Sequence, residues 1–129
     1  MADSNFVLSR GFDAEVALTK GRAVKAGTAD ESVTAVTAEG DEVLGIAMFD
    51  VTTAEIGQGK GASVAMMGIA DMEAAAALAV GDNVAINASG QAVAANSGAR
   101  TVGVCVGNPS TNSGDRISVL LSLPGVVTA

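Results

Sequence analysis

Val43–Asp50 reads VLGIAMFD, and Thr101–Asn108 reads TVGVCVGN. Each is a short apolar run built around one glycine. Each is followed by a glycine-bearing polar stretch, AEIGQGKG or PSTNSGD, and then by a second apolar run, ASVAMMGIA or RISVLLSL. The preceding segments also match: Gly21-Arg22-Ala23-Val24 stands before the first run, and Gly81-Asp82-Asn83-Val84 before the second. Gly21 lies 24 residues before Gly45, and Gly81 lies 22 before Gly103. The pattern reads as one β unit used twice, and two copies suggest halves that close around one core.

Working outward, period-two alternation predicts a half-buried strand over Ala14–Thr19. Lys20-Gly21 turns it into a short return strand, Arg22–Lys25. Ala26–Ser32 is a polar loop. Val33–Ala38 alternates as a strand, and Glu39-Gly40-Asp41 is expected to fold it back on Glu42–Phe49 as a hairpin. Thr52 or Thr53 can cap a helical turn that Gly57, Gly59 and Gly61 stop. Ala62–Ile69 reads as a strand. Asp71–Val80, DMEAAAALAV, has the strongest helix propensity in the chain, yet its place in the repeat reads as β, so helix and strand both stand. Strands are expected over Asn83–Asn87, Gln91–Ala95, Thr101–Val106 and Arg116–Leu123, with Pro124 ending the last. Short strands with recurring glycines predict an all-β domain, a small barrel or a sandwich.

At 129 residues there is room for one domain. Its core has to be made of Ala and Val, because the aromatics are only Phe6, Phe12 and Phe49. The longest apolar tract, Ala74–Val80, is seven residues, far short of the ~18 a membrane helix needs. The start, MADSNFVLSR, lacks the basic and then apolar pattern of a secretory signal. The net charge is −7 with no histidine, and the seven bases are scattered, which argues against a nucleic-acid groove.

Chemistry is mostly excluded by residue type. Without histidine, Ser-His-Asp and Cys-His schemes fail, and so do histidine zinc sites. One cysteine excludes cysteine clusters, and Cys105 reads as a buried small hydrophobe. The pairs Asp30/Glu31, Asp41/Glu42 and Asp71/Glu73 sit at turns or element edges, where solvated charge is the ordinary outcome. Gly57–Gly61, GQGKG, lacks the phosphate-loop pattern, and no spaced DxDxDG calcium loop is present. No catalytic, cofactor-binding or metal-binding residues are expected. Two of the three aromatics lie in the first twelve residues. They read either as a frayed end with Phe6 tucked on its own core or as an arm that docks on a partner through Phe6, Val7, Leu8 and Phe12.

The succession Lys20–Gly27, Val43–Ala47, Gly81–Val84, Ala88–Val93, Val102–Cys105 and Gly114–Leu120 resembles the DUF2190 family, the capsid decoration or cement proteins of tailed bacteriophages. The resemblance spans roughly Ala14–Leu123, and it rests on the order and spacing of several turns rather than on one motif. It implies a non-enzymatic protein on the outer surface of the mature phage head, with a barrel or tulip-like body. It also implies the major capsid protein as partner, a homotrimer on the capsid, no cofactor, and no direct contact with nucleic acid or membrane. In that frame residues 1–13 are an extended capsid-binding arm, 14–123 the body and 124–129 a tail. Other virion structural roles, such as a tail-tube or head-fibre component, remain open, as does a free-standing binding module.

Overall fold

The computed structural model describes residues 7–38, 40–95, 100–110 and 112–127. Among the described residues nine strands and one short helix follow in order: β1 (Val7–Ala14), β2 (Ala23–Ala26), β3 (Ser32–Ala35), β4 (Gly45–Ala47), α1 (Thr53–Gly57), β5 (Ala62–Glu73), β6 (Asn83–Ile86), β7 (Ala92–Ala94), β8 (Arg100–Gly107) and β9 (Arg116–Val127). The sheet order is β1-β3-β2-β4-β5-β9-β8-β6-β7, with β1 also paired to β5. The β1–β3 pairing is parallel and the other strand ladders are antiparallel. The domain is therefore all-β with a mixed sheet, as the glycine spacing led one to expect.

The long strand β5 holds the arrangement together. Its first part lies between β4 and β1, and its second part pairs with β9. Registers recur with a constant step on each strand. Ser9–Ala65, Gly11–Ser63 and Phe12–Ala62 on β1/β5 correspond to Ile69–Leu120, Asp71–Ser118 and Met72–Ile117 on β5/β9. Val24–Ala35 and Ala26–Val33 on β2/β3 correspond to Val84–Ala94 and Ile86–Ala92 on β6/β7. Val24–Gly45 corresponds to Val84–Gly103, and the bridge Leu18–Val51 to Leu78–Ser110.

Two apolar clusters form the core. The larger is built on Ile46, Met72, Ile86, Ile117 and Val119, the smaller on Val24, Val33, Val51 and Val64, with Phe12 packed partly against it. Small side chains fill such a core only if strands approach closely. Cys105 is fully buried.

Several sequence expectations are corrected. The strand ends at Ala14, and residues 15–19 keep one bridge, Leu18–Val51. The Glu15 carboxylate is instead taken up by Thr28 N, Ala29 N and Ser32 Oγ at 2.8, 2.8 and 2.7 Å, which draws the chain out of extended alternation. The hairpin between Val33–Ala38 and Glu42–Phe49 does not form: β3 pairs with β2 and β1, and β4 with β2 and β5. Asp41 accepts from Thr37 N and Ala38 N, local bonds that do not fix which strand lies beside Val33–Ala38. Of the two readings left open for 71–80, the helix does not form and the strand does at its start. Asp71–Glu73 continue β5 against β9, and Ala74 and Leu78 make single bridges, so tertiary pairing overrides alanine's helix preference. Pro124 does not end the last strand, which runs to Val127. Between Gly103–Leu121 and Thr101–Val126 the register slips, and Pro124 falls in that irregular stretch, the kind of place where a strand tolerates proline. The helical turn does form: Thr52 caps α1, with Glu55 completing a capping box.

Candidate functional site: an exposed apolar sheet face

Of the expected anchors, Phe6 lies outside the described residues. Val7, Leu8 and Phe12 are in β1, so the boundary drawn after residue 13 falls within that strand. Val7 pairs with Gly68 and Leu8 with Met67. Phe12 is half-buried, and the Arg10 guanidinium lies over its ring, 5.0 Å from the centroid. Arg10 also pairs with Glu31.

Leu8 belongs to a row that the sequence did not single out. Leu8 is 44% exposed and Met67 opposite it 60%. Two residues along β5, Ile69 faces Leu120, which is 47% exposed, and Leu120 faces Val104 on β8. Gly68, at φ 94, bends β5 between Met67 and Ile69, next to a register shift on β1. Beside the row, Phe49 (57% exposed) and Ile69 line a groove of about 250 Å³ that Lys20 and Asp71 flank. Large apolar side chains in a continuous row across β1, β5, β9 and β8 carry the chemistry of a contact surface. Among the described residues, no group of three or more His, Cys, Asp or Glu is placed to hold a metal ion. No helix there is long and apolar enough to cross a membrane.

A polar junction holds the Lys20–Ala23 turn against the far end of β5. Arg22 Nε and Nη2 donate to the two Glu73 carboxylate oxygens at 3.3 and 3.2 Å, and Gln91 Nε2 donates to the same group at 2.8 Å. Arg116 Nη1 donates to Lys20 O at 2.7 Å. The Arg22 hydrogen bonds are the largest influence holding the Glu73 carboxyl below the ordinary carboxylate range, with Gln91 and the Arg22 and Arg116 charges adding to it. A carboxyl lowered in the folded state stabilises the fold above its unfolded pKa, and that stability is lost as pH falls through the lowered folded value. Glu73→Gln is expected to cost about 1–2 kcal/mol at neutral pH, roughly 3–8 °C in Tm. It should also flatten the acid side of a Tm-against-pH curve. Thermal melts from neutral to strongly acid pH check both, and an unchanged acid slope contradicts the assignment.

Three further carboxylates are lowered by hydrogen bonds from nearby turns. The Ser32 hydroxyl is the largest influence on Glu15, the Thr37 amide on Asp41 and the Thr52 amide on Glu55. They pin loops rather than converge in a cleft. A second, polar groove of about 650 Å³ opens beside β1, lined by Asp13, Asp30, Glu31 and Gly61 among others.

Comparison with known proteins supplies the context for this surface. A family model described as structural cement protein (E217 gp24/Pam3 gp6) matches residues 2–121. No curated protein sequence matches the chain. Among solved structures, the N base of head fiber gp8.5 in bacteriophage phi29 superposes with a TM-score of 0.69 at 19% identity, over 96% of this chain and 100% of that one. A chain of the capsid of Myoviridae phage XM1 superposes with a TM-score of 0.67 at 20% identity, over 95% of this chain and 88% of that one. At such identities the likeness is one of fold.

Proposed function

The chain belongs to the phage structural cement protein family, and we propose that it clamps neighbouring major capsid protein subunits together on the outer face of the expanded head. It is a non-enzymatic, capsid-associated component of the phage particle. The observation that carries this reading is the family match over residues 2–121. The row Leu8–Met67 and Ile69–Leu120–Val104, exposed at Leu8, Met67 and Leu120 and half-buried at Ile69 and Val104, supports it by offering apolar area suited to a broad, shallow contact.

The finer assignments belong to the same proposal. The pairing path β1-β3-β2-β4-β5 returns to β1, which supports a small barrel. The recurring registers, with the bridge Ala74–Ala92 standing for the β1–β3 pairing, support two equivalent five-stranded units that share β5. A homotrimer on the shell multiplies weak contacts through effective concentration. Residues 1–13 serve as the capsid-binding segment, with Phe6, Val7, Leu8 and Phe12 as its anchors and its later part held in β1. Residues 14–123 are the body and 124–129 its tail.

The mechanism is mass action. A protein that binds the expanded lattice and not its precursor stabilises the expanded lattice by RT ln(1 + [L]/Kd) per site. Co-sedimentation with expanded and precursor shells of its phage tests this. Saturable binding to expanded shells and at least tenfold weaker binding to precursors is expected, and equal binding to both overturns the mechanism.

A further inference from the structure

The recurring registers place two corresponding grooves in the molecule, one filled by the chain's own turn and one closed at its base by the rung from Asp13 N to Glu31 O. In the filled groove, the Lys20–Ala23 turn enters between the end of β5 and the turn before β7. Glu73 N donates to Gly21 O and Ala23 N to Gly90 O, both at 2.9 Å. Arg22 reaches the Glu73 carboxylate, and Arg116 Nη1 holds Lys20 O. Following the ladders one step past Phe12–Ala62 and Met72–Ile117, Asp13 stands for Glu73 and Gly61 for Arg116. On the neighbouring strand Glu31 stands for Gly90, and both have positive φ, 51 and 81. Asp13, Glu31 and Gly61 all line the open polar groove of about 650 Å³.

We propose that this open groove receives a basic turn of a partner protein, a glycine followed by arginine or lysine, as the filled groove receives the chain's own Gly21-Arg22. Charge selects the occupant. Asp13, Asp30 and Glu31 line the groove; Glu31 is paired with Arg10, whose guanidinium also lies over Phe12, and Asp13 and Asp30 supply the acidic charge that meets an incoming base. A second copy's counterpart turn, Val80-Gly81-Asp82, brings another carboxylate to that lining and is disfavoured. Full seating opens one rung, Asp13 N to Glu31 O at 3.0 Å. It replaces that bond with two to the incoming turn, as at Glu73 and Gly90. The inference deepens the shell-binding reading by naming the partner's surface chemistry, and it rests on that reading only for where such a turn is met.

The probe is a cyclised peptide carrying the chain's own residues 18–25, titrated into isotope-labelled full-length protein and followed by amide chemical shifts. The expected result is saturable shifts concentrated at Asp13, Glu31 and Gly61, with a Kd in the high-micromolar to millimolar range (about −4 to −5 kcal/mol). Binding should weaken at least tenfold for the Arg22→Glu peptide and for the Asp30→Lys protein, whose altered residue takes no part in the β1–β3 ladder. Absence of saturation up to about 5 mM, shifts centred on Glu73 and Gln91, or indifference to both charge reversals overturns the groove assignment. Peptide failure alongside intact shell binding removes this inference and leaves the cement reading standing.

Discussion

Gly45→Ala and Gly103→Ala are each expected to destabilise the protein by about 3 kcal/mol or more, lowering Tm by roughly 10 °C or more. A Cβ on Gly45 would lie 2.4 Å from Ala65 O, and one on Gly103 would lie 2.1 Å from Leu120 O and 2.8 Å from a Val119 methyl. The obstructing atoms are mainly backbone of the adjacent strand, so no side-chain rotation relieves the clash. Separating the strands would open gaps beneath Val64 and Val119, both fully buried. Gly114→Ala serves as a control for steric effects, because a Cβ there meets nothing within 4 Å. Its positive φ of 95 still costs something, about 1 kcal/mol. Circular-dichroism melts of the three variants decide the matter. Equal, small shifts for all three would show that the close strand crossings are not what limits stability.

Those two glycines also show how much of the molecule is legible in its sequence. VLGIA and TVGVC repeat because each crosses a neighbouring strand at a point where only a hydrogen fits, and that constraint surfaces as a glycine inside an apolar run. The turns at Lys20-Gly21, Gly81-Asp82 and Ala88–Gly90 were readable for a similar reason, since left-handed backbone at Gly21, Gly81 and Gly90 leaves a glycine. Strand partners were not readable. Alternation in Val33–Ala38 tells which face is buried and says nothing of which strand lies alongside, so the parallel β1–β3 pairing had no local signal. At 71–80 local propensity pointed to a helix that the β9 register outweighs. The candidate surface was partly visible. The early apolar knot drew attention to Leu8, which is exposed. Met67 and Leu120 sit in AMMGIA and SVLLSL, runs apolar on both faces, where period-two reasoning cannot separate inside from outside. Phe49, one of three aromatics available to a core poor in large side chains, lies mostly exposed.

The second large effect concerns that face. Met67 and Leu120 lie on adjoining strands, in the rows Leu8–Met67 and Ile69–Leu120. Because Met67 is 60% and Leu120 47% exposed in the chain alone, replacing them with lysine should change folding stability by only about 0.5 kcal/mol. In a shell contact the same lysines would be desolvated against apolar neighbours. Each is expected to cost about 1–2 kcal/mol of binding, a factor of roughly ten. The double variant is expected to lose on the order of a hundredfold, and more where several protomers act together.

The most direct measurement is therefore the equilibrium binding of wild-type protein and of the Met67→Lys/Leu120→Lys variant to purified expanded shells, read as occupancy against free concentration. Saturable wild-type decoration with at least tenfold weaker decoration by the folded variant is the predicted result. Absent wild-type binding, or identical curves for the two proteins, would contradict a cement that grips the shell through this sheet face.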